Sequence, residues 1–369
     1  MKTSEKQLVV GRRNALKMLG LGSAVMLSSG FSDILAAERK DMKAPSKSFN
    51  DDGRSPVAFT TGTDRMQMIF EVMKPFHSEL KAGIKNKQVV IKPNMVVTNN
   101  PLCATHKDAI RAVLEYLKPI YKGQVIIAES SSSVNSADGF SNYGYTDLEK
   151  EYNVKFVDLN EKNAGKPYFI LDRNLHLDTI EIADIFNNPD YYIISLSRLK
   201  THNSVVMTAG TKNIAMGAPL NPGTAVNGGR PVSYKRNMHS GGSRWLHYNI
   251  YLMAQGARPD FTVIDGLEGM EGNGPIAGTA VDHRVALAGF DVVAVDSMCA
   301  RLMGIPLEDV GYINYCAAAG IGNMDMDKIE ILGGKDPEKS IIKYKLSQNI
   351  DRQLEWKEPF QQSSQSGRG

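Results

Sequence analysis

Short apolar runs rich in β-branched residues punctuate the middle of this chain. They occur at Gln88–Ile91, Gln124–Ala128, Val154–Val157, Tyr191–Leu196, Phe261–Ile264 and Val285–Ala288. Segments of helical periodicity separate several of them. Ile110, Val113, Leu114 and Leu117 share one face, with Thr105 and Asp108 spaced as a capping box ahead of them. Leu246, Ile250 and Met253 form a second stripe, ended near Gly256 and Pro259, and Val292, Val295, Cys299 and Leu302 form a third, stopped by Gly304 and Pro306. Strands alternating with helices predict an α/β protein: a mainly parallel, Rossmann-like open sheet, helices on both faces, and long loops at the carboxyl ends of the strands.

Polarity changes abruptly where these runs end. Val89-Val90-Ile91 leads into Lys92-Pro93-Asn94, and Ile126-Ile127-Ala128 into Glu129-Ser130. Ile193-Ile194 leads through Arg198 to Lys200-Thr201-His202, and Val263-Ile264 into Asp265-Gly266. In an open parallel sheet, ligands bind beyond the carboxyl ends of the strands, so these groups are expected to converge there. Polar residues follow strands for the ordinary reason that loops meet water; four junctions that each deliver a functional group at once favour a site. Two loops look suited to close ligand approach. One is Glu268–Pro275, with three glycines and the carboxylates Glu268 and Glu271, followed by Asn273. The other is Thr208–Asn213, which carries Lys212 and Asn213. Neither has the spacing of a Walker loop or a dinucleotide fingerprint. The stretch from Asn221 to Ser243, rich in Gly, Pro, Asn and Arg and containing His239, reads as a lid.

The amino terminus has a different pattern. Arg12-Arg13 is followed by Leu16-Lys17 and a soft apolar run from Met18 to Phe31. This is the form of a twin-arginine export signal. The run is 14 residues long and diluted by glycine and serine, short of the roughly 20 apolar residues of a membrane span. Residues 1–37 are therefore expected to be a signal peptide, 38–55 a linker, 56–347 a single α/β domain and 348–369 a loosely ordered tail. The expected destination is the periplasm or another exported location, with the twin-arginine export machinery as a partner and no membrane span in the mature chain.

Charge and cysteine narrow the field. The chain holds 43 basic and 40 acidic residues. Five basic residues (Lys2, Lys6, Arg12, Arg13, Lys17) and two acidic ones (Glu5, Asp33) belong to the signal, which leaves 38 of each. No nucleic-acid footprint is expected from that balance. The cysteines Cys103, Cys299 and Cys316 form no C-x-x-C pair, which argues against an iron–sulfur cluster. Cys299 and Cys316 read as buried free thiols, with a disulfide as the alternative.

In order along the chain, Lys92-Pro93-Asn94-Met95, Glu129-Ser130, Lys200-Thr201-His202, Thr211-Lys212-Asn213, Glu271-Gly272-Asn273-Gly274-Pro275 and Asp291…Ala294-Val295-Asp296 resemble the motifs of the domain of unknown function 362 family. The resemblance spans about residues 85–305. It implies a shared site at those positions and leaves the reaction open.

These residues point first to an exported enzyme acting on a small anionic or polyhydroxylated molecule. Lys92, Lys200 and Lys212 would bind carboxylate or phosphate as point charges, with Asn94, Asn213 and Asn273 completing substrate binding. His202, Glu129 and Asp265 are the catalytic candidates. His202 is expected as general acid or base, and the carboxylates are expected to orient it or act themselves. A divalent metal is an open cofactor, with Glu129, His202, His239, Asp265 and Glu271 as candidate ligands. The rival readings are a non-catalytic small-ligand binding protein and an accessory factor for redox-protein assembly. A His202–carboxylate pair within hydrogen-bond reach separates enzyme from binder.

Overall fold

The computed structural model describes residues 49–133, 135–161, 165–223 and 232–359. The expected signal, most of the expected linker, the centre of the expected lid and the last ten residues lie outside the described residues. Every apolar run named above forms a strand. In chain order the strands are β1 (Ser55–Thr61), β2 (Gln88–Pro93), β3 (Val125–Glu129), β4 (Val154–Asp158), β5 (Gly165–Leu171), β6 (Leu177–Ala183), β7 (Tyr191–Thr201), β8 (Met207–Thr208), β9 (Phe261–Asn273), β10 (Ala277–Gly289) and β11 (Ile329–Leu332). Nine of them make one sheet in the order β11-β1-β10-β9-β7-β2-β3-β4, with β8 paired to β7; β5 and β6 form a separate hairpin. The run β9-β7-β2-β3-β4 is parallel throughout. The fold is therefore α/β, with a mixed, mostly parallel sheet. Antiparallel pairing enters at the β9–β10 hairpin and at β10–β1.

Alternation explains how both faces are covered. Val90, Ile193 and Ile264 pack on one face with helices Gly210–Gly217, Ser243–Gly256 and Val292–Leu302. Val89, Ile91, Ile194 and Val263 pack on the other with helices Arg65–Met73, His77–Ile84 and Lys107–Leu117. Because the strands are buried on both sides, they read as continuous apolar runs.

Several expectations are corrected. The segment Glu268–Asn273 is the outer half of β9, and its glycines lie in a hairpin arm whose turn is Gly274–Ile276. The segment Thr208–Asn213 crosses the end of β8 into the first turn of helix Gly210–Gly217. The amides of Gly210 and Thr211 donate to the buried Asp296 carboxylate at 2.7 and 2.9 Å, so this helix start is already satisfied from within the protein. The cap of helix Lys107–Leu117 is His106, whose Nδ1 accepts the Asp108 amide, while Thr105 bonds the Asn94 amide and the Leu196 carbonyl. Ser55, assigned to the linker, begins β1. The tail is packed through its described part: Gln353 is fully buried and accepts the Val206 N–H at 2.5 Å. All three cysteines are buried free thiols.

Candidate functional site

Lys92 is the penultimate residue of β2 and its side chain is buried, a position that demands partners for its ammonium. It has three. The Nζ donates to the Glu129 carboxylate at the end of neighbouring β3 (2.7 Å), to the Pro93 carbonyl (2.6 Å) and to Asn213 Oδ1 (3.2 Å). Asn213, in the first turn of helix Gly210–Gly217, ties the junction together. Its Oδ1 also accepts Asn94 Nδ2 at 3.1 Å, and its own amide donates to the Lys92 carbonyl and Ser195 Oγ. Asn94 Oδ1 in turn accepts the buried Lys200 ammonium from the end of β7, which also donates to the Cys103 carbonyl at 2.9 Å. Gly217 is needed here, because a Cβ at that position would collide with the Lys92 side chain.

These groups border a cavity of about 240 Å³ lined by Lys92, Asn94, Glu129, Ser130, His202, Lys212, Asn213, Lys235 and His239, with Pro275 and Ile276 of the hairpin turn at its rim. Lys235, from helix Tyr234–Met238, donates to Ser130 Oγ (2.9 Å) and the Met216 carbonyl (2.6 Å). Lys212 is 7% exposed, and among the described residues its ammonium makes no hydrogen bond and no ion pair. Burial, then the neighbouring Lys92 charge, pushes Lys212 down to about 7. Burial likewise pushes Lys200 and Lys235 down to about 7. His202 Nδ1 accepts the Ser204 amide at 2.9 Å, which assigns its proton to Nε2. Burial and the Lys212 charge hold its pKa well below the usual imidazole range, and burial takes His239 to about 4. Both rings are neutral at pH 7.

The structure thus brings Lys92, Asn94, Glu129, Lys200, His202, Lys212, Asn213 and His239 to one place. It takes three expected residues elsewhere. Asp265 lies on the opposite face of the sheet, where its carboxylate accepts Arg65 Nε at 2.9 Å. The reason is the two-residue alternation of a strand: β9 continues past Asp265, which points with Val263 rather than with Ile264. Glu271 accepts the Lys345 amide, and Asn273 accepts Ser347 Oγ and the Gln348 amide, so both fasten the carboxy-terminal segment to the hairpin. The expected alignment of His202 with a carboxylate is absent among the described residues, since Glu129 is committed to Lys92. Of the candidate metal ligands, Glu129, His202 and His239 line the cavity, while Asp265 and Glu271 lie elsewhere. Among the described residues no three His, Cys, Asp or Glu side chains are grouped for a metal ion, and the lysines around Glu129 oppose a divalent cation. Lys235 was missed, because it sits alone in the Gly- and Asn-rich stretch with no motif around it. Asp291 and Asp296 prove architectural: Asp291 caps helix Val292–Leu302, accepting the Val293 and Ala294 amides.

Residues 89–301 match the family described as Domain of unknown function (DUF362), and this chain belongs to that family. It is similar to a thylakoid-associated protein of Synechocystis sp., at 25% identity over 211 residues that make up 57% of this chain and 60% of that protein's length. It also overlaps a crystal structure of a Thermotoga maritima protein at 9% identity and a TM-score of 0.40, covering 71% of this chain and 60% of the other. Among the described residues no helix is long and apolar enough to cross a membrane.

Proposed function

We propose that this protein binds a small anionic molecule, a phosphate or carboxylate compound, in the lysine-lined cavity. One observation carries the reading: among the described residues three buried lysines, Lys92, Lys212 and Lys235, line the cavity with a single carboxylate, Glu129, and that carboxylate is already bonded to Lys92. Burying a cation without a counter-charge is costly. An anion from outside removes the cost, and it meets neutral donors as well in His202 Nε2–H and the second hydrogen of the Asn94 amide. Turnover of that molecule belongs to the same proposal, although His202 paired with a carboxylate is not what supports it. Action outside the cytoplasm rests on the Arg12-Arg13 signal and its apolar run; replacing both arginines by lysine should keep the protein in the cytoplasmic fraction, and unchanged export would remove the assignment.

The binding proposal is tested by thermal unfolding in sulfate, phosphate or a dicarboxylate against chloride at equal ionic strength. Stabilisation grows with ligand concentration relative to its dissociation constant. A rise in Tm for the wild type that is absent in Lys212→Met supports it. An equal response in both proteins, or none in either, refutes it.

A further inference from the structure

Among the described residues, Lys212 alone of the lysines in and beside the cavity is without a partner. The Lys92 ammonium has three acceptors, the Lys235 ammonium two and the Lys200 ammonium two. Each of these amines is held as a donor, its hydrogens engaged by carbonyl, hydroxyl, amide or carboxylate oxygens. The Lys212 amine lines the cavity with no acceptor among the described residues. An ammonium there has no acceptor among the described residues, so the site favours the uncharged amine with a free lone pair, and burial beside Lys92 brings its pKa to about 7. An uncharged, desolvated lysine next to other cations is the form in which an amine attacks a carbonyl.

Resting on the anion-binding reading, we propose that Lys212 is a nucleophile that forms an imine with a small anionic molecule carrying an aldehyde or ketone. The neutral amine adds to the carbonyl carbon, the carbonyl π pair moves to oxygen, and one proton passes from nitrogen to that oxygen to give a carbinolamine. The hydroxyl then takes up a proton, the nitrogen lone pair closes the C=N bond as the C–O bond breaks and water leaves, and the remaining N–H proton is released, so that one imine and one water form with no net change in protons. No oxidant or reductant is consumed. His202 Nε2–H lines the same cavity as a hydrogen-bond donor to the carbonyl oxygen, and Lys92 and Lys235 supply positive charge for the anionic group. The substrate class is therefore a 2-oxo acid or a phosphorylated aldehyde or ketone, small enough for about 240 Å³.

The test uses pyridoxal phosphate, an anionic aldehyde, as the probe. The full chain is treated at substoichiometric probe, reduced with borohydride and mapped by peptide mass spectrometry. The expected result is reduction of the first label onto Lys212, ahead of the exposed Lys150, Lys339 and Lys345, with several-fold protection by sulfate. Lys212→Arg should lose this label and keep sulfate stabilisation, which separates loss of the nucleophile from loss of the fold or of the anion site. Labelling of Lys212 no faster than of the exposed lysines overturns the imine. If sulfate still raises Tm in that case, anion binding stands and the imine alone fails. If Lys212 is labelled selectively while sulfate neither protects nor stabilises, the imine stands and the anion-binding reading fails.

Discussion

Two clusters of charge lie at opposite faces of the sheet, and they are balanced differently. On one face Arg65 meets Asp265 at 2.9 Å and Arg198 meets Glu268 at 3.2 Å, so each arginine has a carboxylate. On the other, Lys92, Lys212 and Lys235 line one cavity, and only Lys92 is paired with a carboxylate, Glu129, among the described residues. The arginine side also borders the roomier cavity, about 410 Å³ lined by His106, Tyr143, Arg198 and Glu268 among others. Size does not distinguish the two; charge balance does. A matched buried pair is architecture, since removing one member strands the other. An unmatched buried cation is a standing demand for a negative charge that the described protein does not supply, and perturbed groups of that kind concentrate at functional sites.

The largest expected effect attacks the balanced face. Asp265→Ala strands the Arg65 cation and should cost about 3–5 kcal/mol in chemical denaturation. Its sulfate-induced rise in Tm should persist, since Asp265 does not line the lysine cavity. Loss of the sulfate response together with stability would show that the faces act as one site. Next is Lys212→Met, expected to weaken sulfate binding about tenfold or more, equivalent to about 1.4 kcal/mol, in a titration at constant ionic strength. A variant that binds sulfate as the wild type does would erase the contrast between the faces.

Smaller effects follow from titration. Lysine in the unfolded chain keeps its ordinary value of 10.5, while Lys212 in the folded protein is at about 7. Between those values the unfolded chain binds more protons, so stability contributed by this group increases with pH; below about 7 both states are charged and the slope vanishes. Denaturation of the ligand-free protein across that window should show rising stability, with a shallower rise in Lys212→Met. A profile that falls with pH, or is unaltered by the substitution, would deny that Lys212 is buried without a counter-charge. The smallest expected effect is on ligand-free stability near neutrality. Lys212→Met removes an unpaired polar group and should leave stability unchanged or raise it, whereas a loss above about 2 kcal/mol would reveal a buried partner for the amine.

Much of this arrangement was legible in the residues. The six apolar runs are all strands, and Lys92, Glu129 and Lys200 do meet, because each ends or nearly ends a parallel strand and those strands are neighbours. Asp265 was misplaced because β9 does not stop after Ile264. It continues as a hairpin, and one step in a strand reverses the face. Lys235 reaches Ser130 through a helix 105 residues away in sequence, a contact no local pattern encodes. Gln353 looked like tail because its surroundings are polar, yet the buried Val206 amide requires an acceptor.

Among the described residues cations outnumber carboxylates in the lysine cavity, and on the proposed reading an anion corrects the imbalance. Calorimetric titration with sulfate tests it most directly, since sulfate keeps its charge between about pH 6 and about pH 9 while the lysines lose theirs. The expected result is one sulfate per chain, bound more tightly at the lower pH and with proton uptake, and binding largely lost in Lys212→Met. Heats no larger than dilution, or an affinity indifferent to both pH and that substitution, would contradict it.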